Sequence, residues 1–221
     1  MWQALYEELG DRGFVVLSVA MDSRPGDALP WIEAAHPTYP VLLDRDHRVA
    51  ELYQIVNVPQ AVWIDEAGRI VRPAESAGAY EGFRRMNRET REMPEDVAKR
   101  TADAKATYLD AIRDWVRRGP ESAHAFRADA ALAHIGAPGE DVAQAHAAFR
   151  LGQLLIRRGQ ADEGGRWLAE ATRLHPESWC MWRQQARVND AGLAALPDFW
   201  QRVDALGDRR YYAKVDMPGM P

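Results

Sequence analysis

Few residues in this chain of 221 could carry chemistry. Cys180 is its single cysteine and opens a predicted helix between Trp179 and Trp182. A thiol near a helix start ionises more readily, which would make it a nucleophile. A cysteine set among tryptophans is also a small buried hydrophobe, and that reading is favoured. The six histidines are scattered. His124, His134 and His146 recur at steps of 10 and 12 residues, unlike the tight spacing of a metal site. Asp44, Asp46 and Asp65 could pair as carboxylates for acid–base work. Asp65 precedes Glu66-Ala67-Gly68, where aspartate commonly starts a turn, so the structural reading is favoured. Trp31, Trp63, Trp167, Trp182 and Trp200 read as core. There is no phosphate loop, no Ser-His-Asp order and no zinc motif, so no catalytic residue, cofactor or metal ligand is assigned.

The formal net charge of −5 argues against nucleic acid as the main partner, because phosphate binding needs a basic face. No apolar run approaches the ~20 residues of a membrane span. One cysteine cannot form an internal disulfide. The opening "MWQALYEELGDRG" lacks the basic start and apolar run of a signal peptide. On these grounds the chain is expected to be soluble and, by default, cytoplasmic.

The elements follow from periodicity. Trp2, Leu5, Tyr6 and Leu9 recur at helical spacing, with Gly10 or Gly13 to end the helix. "FVVLSVAMD" (14–22) is a near-continuous apolar run, the pattern of a strand buried on both faces. A turn at Pro25-Gly26 leads into a short helix with Pro30 in its first turn. "VLLD" is extended, and "RDHRVAELYQI" is helical with Val49, Leu52, Tyr53 and Ile55 on one face. "QAVWID", "EAG" and "RIVRP" form a hairpin. From Ala79 onward the pattern is helical.

In order and spacing, residues 1–90 resemble the TlpA/ResA-like, redoxin branch of the thioredoxin-like fold. The resemblance is strongest over "YPVLLDRDHRVAELYQIVNVPQAVWIDEAGRIV". It implies that Val58-Pro59 lies on the substrate side of the site. There the bond before the proline is cis, and the preceding residue offers its backbone N–H and C=O to an extended substrate. An ordinary trans proline starting a strand is the alternative.

That family's chemistry sits in a Trp-Cys-x-x-Cys motif at the start of its first helix, and no such motif occurs here. By resemblance, "MWQALYEELGDRG" matches the later part of that helix. The strand before the motif, central in the family's sheet, is missing too. Unpaired buried backbone groups cost about 1–3 kcal/mol each, against a total stability of ~5–15 kcal/mol. The expectation is therefore a sequence started late within a longer protein. One route is a gene start set at an internal Met after an in-frame stop, such as UGA decoded as selenocysteine.

Beyond residue 90 the pattern is helical throughout. In "DVAKRTADAKATYLDAIRDWVRRG", Val97, Ala104, Tyr108, Ala111, Ile112 and Trp115 form one face. Residues 145–178 resemble a tetratricopeptide repeat, with Leu151-Gly152, Gly164, Leu168, Ala171 and Pro176 in register. Gly152, Gly164 and Ala171 are expected to let two helices approach closely, with Leu155 and Leu168 filling the seam. Such pairs can line a peptide groove. Packing on the redoxin part is favoured.

The reading is an α/β thioredoxin-like domain over 1–90, N-terminally incomplete, followed by an all-α helical-repeat domain over 91–221. The resemblance implies thiol–disulfide or peroxide-type redox chemistry, with Val58 and Pro59 on the substrate side. It is an enzyme only if the missing part carries the motif, and the chain as given is expected to be inactive. Partners would be a thiol or disulfide protein, or a small peroxide or thiol. The alternative is a non-enzymatic scaffold whose helical region binds a protein partner. The tail "RRYYAKVDMPGMP" is either a docking tail or a strand laid on the body.

Overall fold

The computed structural model describes residues 1–22 and 24–221. In chain order it contains α1 (Trp2–Leu9), β1 (Ser18–Ala20), α2 (Leu29–Ala35), β2 (Val41–Leu43) and α3 (Arg48–Leu52). Next come β3 (Gln60–Ile64), β4 (Ile70–Ser76), α4 (Glu95–Arg118), α5 (Ala128–Ile135) and α6 (Glu140–Arg157). The last are α7 (Ala161–Leu174), α8 (Trp179–Gln185) and α9 (Pro197–Asp204). Strands are thus confined to the first part of the described chain. Two compact units form, and neither follows chain order. The first takes Met1–Tyr6, Val15–Val58 and Gly136–Trp200; the second takes Glu7–Phe14, Pro59–Ile135 and Gln201–Pro221. Each unit draws on residues from both sides of position 90.

In the first unit β1 and β2 pair in parallel, Ser18 opposite Val41 and Ala20 opposite Leu43. The run 14–22 was expected to be buried on both faces, and it is not. Only three of its residues are strand, and Val15 and Leu17 are 63% and 57% exposed. Leu42 and Leu43 of β2 are exposed as well. The reason is a shortage of neighbours: among the described residues β1 has β2 as its one strand partner. Parallel strands are normally covered on both faces.

Asp44 caps α3. Its carboxylate accepts the backbone N–H groups of Arg48 and Val49 at 2.8 Å and of Ala50 at 3.2 Å. This satisfies donors that a helix start leaves without partners. The face turned inward carries Ala50, while Leu52 is exposed, contrary to the face expected from periodicity. A five-residue helix is too short for an apolar stripe to set its rotation, so the cap sets it. Trp31 and Trp167 are also exposed rather than core.

α6 and α7 meet at their small residues. A Cβ on Gly164 would lie 2.7 Å from the Gly152 carbonyl oxygen and 2.6 Å from Ile156 Cγ1, so only glycine fits. Ala145, Ala148, Phe149, Leu168, Ala171 and Met181 fill this core. α6 is tied to α3 by ion pairs Arg150–Glu51 and Arg157–Asp46, the latter at 2.8 Å.

The second unit is built on the β3–β4 hairpin, with Trp63 opposite Arg72. Asp65 shapes its turn: Oδ1 accepts the N–H of Ala67 at 3.0 Å and of Arg69 at 2.9 Å. Gly68 supplies the positive φ of 77°. α4 covers the hairpin with the face read from sequence, and Val97, Ala104, Tyr108, Ala111 and Ile112 are all buried. Trp63 Nε1–H donates to Tyr108 Oη at 2.9 Å, and Trp115 stacks on Trp63.

Arg72, 1% exposed, joins the unit together. Its guanidinium chelates Glu75 at 2.7 and 2.8 Å and donates to the carbonyls of His124 at 2.7 Å and Asp216 at 2.8 Å. It lies 4.2 Å from the Phe126 ring centroid. Burial, followed by the Glu75 charge, holds the Tyr108 phenol far above its usual range. The tail is laid on this body without forming a strand. Tyr211, Val215 and Met217 are buried, and Tyr211 meets the Phe83 ring edge-on.

Candidate functional site

The candidate site gathers around residues 56–58, the C-terminal end of the first unit's middle segment. Val58 is 41% exposed and Pro59 is exposed. The Val58 N–H donates to Asn57 Oδ1 at 2.9 Å. Asn57 is itself 3% exposed, so this acceptor is held inside the protein. In the second unit the Pro59 carbonyl accepts the Ala77 N–H at 3.2 Å, which ties the start of β3 to the end of the hairpin.

α8 closes on the segment from the other side of the sequence. Ser178 caps this helix, its hydroxyl accepting the Met181 N–H at 3.2 Å. The Cys180 N–H donates to the Val56 carbonyl at 3.1 Å. Arg183 Nη1 donates to Asn57 Oδ1 at 3.0 Å. Trp179, beside Trp182 and Phe199, anchors α8 in an aromatic cluster, and the Arg183 guanidinium lies 6.0 Å from the Trp179 ring.

The fold therefore brings the one cysteine next to the Val-Pro segment, although the two are far apart in sequence. It does not make the thiol reactive. Cys180 is 4% exposed, and burial pushes its thiol up to about 12, against a small opposing pull from Arg183. At neutral pH almost none is thiolate, the form that attacks sulfur or peroxide.

A second cluster borders the first. The Met21 carbonyl, just past β1, accepts from His47 Nε2 at 3.2 Å and Gln184 Nε2 at 3.1 Å. A carbonyl can only accept, so His47 Nε2 carries the proton. His47 Nδ1 is then a bare acceptor with no partner among the described residues. The ring packs on Phe149 at 4.7 Å, and burial lowers the His47 pKa to about 4 despite the nearby Asp44. His47 is a neutral hydrogen-bond donor at physiological pH. Asp22, which follows Met21, has its carboxyl pKa raised by burial and by Asp27.

Asp44 and Asp65 do not come together as a carboxylate pair. Asp44 caps α3, a role not read from sequence, and Asp65 forms the hairpin turn, as expected. His134 bonds the tail through Asp216 at 3.1 Å, and His146 faces His175 at 6.3 Å. Among the described residues no three His, Cys, Asp or Glu side chains group as a metal site, and no helix is long and apolar enough to cross a membrane.

Sequence reasoning did not find Asn57, Arg183, Gln184 or His47. Only Asn57 carried a signal, as a polar residue directly before Val-Pro. Arg183 meets it across 126 positions, a distance that periodicity cannot bridge.

The model of the AhpC/TSA family matches residues 1–72, a redoxin family of the thioredoxin-like superfamily. No curated protein and no solved structure matches the chain. The match covers α1 through β3 and the start of β4, including all of residues 56–58.

Proposed function

We propose that this chain is the C-terminal part of a thiol-dependent oxidoreductase of TlpA/ResA-like type. Its redox motif would be supplied by residues outside this sequence. The observation that carries the reading is a conjunction: a redoxin match over residues 1–72, and a sole thiol that burial pushes up to about 12. The exposed apolar residues of β2, and Val15 and Leu17 just before β1, support it, because a further strand on β1 would help cover surface that parallel strands normally bury. In this reading Val58 and Pro59 line the substrate groove, with a cis bond between them. An incoming thiolate or selenolate would attack a disulfide sulfur beside them, breaking the S–S bond and releasing the other sulfur as a thiolate, or a peroxide oxygen, breaking the O–O bond and releasing hydroxide or alkoxide. The substrate is then a thiol or disulfide protein, or a small peroxide. The 221 residues alone would be inactive.

The test is to read the DNA upstream of Met1 in frame and weigh the native protein. A strand followed by a Trp-Cys-x-x-Cys or UGA-containing motif, with a native mass above that of 221 residues, supports the reading. A noncoding upstream frame and a native mass matching the 221 residues overturn it.

A second reading has one observation in its favour. α6 and α7 approach at Gly152 and Gly164 as a tetratricopeptide-like pair would, and Leu151 and Leu154 of α6 remain partly exposed. In this reading the protein is a non-enzymatic scaffold whose helical region over 91–221 holds a protein partner. A genuine start at Met1 would favour it.

A further inference from the structure

We infer that Asn57 and Arg183 form a latch that keeps the Val58 N–H from an incoming extended peptide. The inference rests on the reading of Val58 as a substrate-groove residue and adds a regulation of that groove. A peptide strand that docks on Val58 needs its backbone N–H as a donor. That donor is already given to Asn57 Oδ1 at 2.9 Å. The acceptor is not a surface side chain that water can pull away, since Asn57 is 3% exposed.

Arg183 holds the acceptor in place. Its Nη1 donates to the same Oδ1 at 3.0 Å, so the oxygen receives one charged and one backbone donor. Charge-assisted hydrogen bonds are the stronger kind, and this one orients the amide with its oxygen toward Val58. The arginine comes from α8, which is fixed at Ser178 and at the Cys180–Val56 bond. Opening the latch means moving the Asn57 side chain off Val58 or shifting α8. Val58 itself is exposed, so a peptide can reach it once the N–H is freed. The latch links the C-terminal helices to the proposed substrate groove.

The experiment uses the full chain, with Asn57→Ala and Arg183→Met as variants. Amide exchange is followed by NMR at Val58, with the Cys180 amide as internal reference. The latch predicts a protected Val58 amide in the unaltered chain. It predicts faster exchange in both variants while Cys180 stays protected. Each protein is then titrated with a capped, extended hexapeptide of alternating valine and serine around one cysteine. Affinity should rise roughly three- to tenfold in the variants, the equilibrium worth of one hydrogen bond no longer to be displaced. If the Val58 amide is unprotected from the start, or its exchange in both variants is no faster than in the unaltered chain, the latch does not exist. Peptide that shifts the Val58 signal with equal affinity in all three proteins overturns the latch and leaves the groove reading standing. Peptide that leaves Val58 unshifted in every protein removes the groove reading and the latch with it. Because Asn57 is buried, Arg183→Met decides the matter if Asn57→Ala does not fold.

Discussion

The two units each hold a pair of strands, and the pairs differ in how complete they are. In the second unit the hairpin is finished. Its inward residues Trp63, Arg72 and Ser76 are at most 3% exposed, α4 lies over it, and the chain's own tail accepts a hydrogen bond from Arg72 Nη2. In the first unit the parallel pair keeps Leu42 and Leu43 of β2 in water, together with Val15 and Leu17 just before β1. Polar groups do not follow that division. Arg72 chelates Glu75 and donates to two carbonyls, but among the described residues His47 Nδ1 in the first unit and His124 Nδ1 in the second are both buried without a partner. A satisfied network fixes one structure. An incomplete strand pair is where a further segment would be received. The contrast between the units is thus one of strand completeness.

The largest expected effect breaks the finished side. Arg72→Met leaves the Glu75 carboxylate without its counter-ion and two carbonyls without a donor. Removing one partner of a buried pair costs about 3–5 kcal/mol. Denaturant unfolding should show it as a large fall in midpoint, and a loss under 1 kcal/mol would mean that the network is not the second unit's keystone.

Next comes the pH dependence of the first unit. His47 titrates near 6.5 when unfolded and at about 4 when folded. Above pH 6.5 both states are neutral there and its contribution to stability is whole. Between 6.5 and 4 the unfolded chain takes up a proton that the folded one refuses, so stability falls with falling pH. The loss should total roughly 3 kcal/mol and level off below pH 4. His146 and His175, also lowered by burial, add in the same direction. In His47→Phe the slope of stability between pH 6.5 and 4 should shrink, and an unchanged slope would assign it elsewhere.

Gly164→Ala is expected to cost about 1–3 kcal/mol, because its methyl group would overlap the Gly152 carbonyl and the Ile156 side chain. Thermal melts of this variant beside Gly165→Ala, where a Cβ meets nothing within 4 Å, separate close packing from general helix effects. The smallest effect lies on the open strand. Leu17→Ser should change stability by less than about 0.5 kcal/mol, since the side chain is already 57% exposed. A cost comparable to that of Arg72→Met would erase the contrast between the units.

What could be read from sequence tracks how local its cause is. The α4 face was legible because 24 residues of 3.6-residue periodicity average out exceptions. The hairpin was legible because Asp65 and Gly68 carry the turn in their own chemistry. The close approach of α6 and α7 was legible from paired small residues. The burial of 14–22 was misread because an apolar run states what a strand needs, not what it receives. The α3 face was misread because a cap rather than a stripe sets a five-residue helix. Arg72 was placed in a hairpin strand and given no role. Its burial depends on acceptors 52 and 144 positions away. Of the residues gathered in the candidate site, Val58, Pro59 and Cys180 were singled out from sequence, while the contact of α8 with residues 56–57 was not.

The central claim is that the thiol present in this chain is not a redox centre. The direct measurement is turnover of hydrogen peroxide and of insulin disulfides by the purified 221-residue chain, with Cys180→Ser alongside. The account predicts no turnover above the buffer reaction for either protein, because Cys180 is buried and protonated. Turnover by the unaltered chain that disappears in Cys180→Ser would contradict it and make Cys180 the nucleophile.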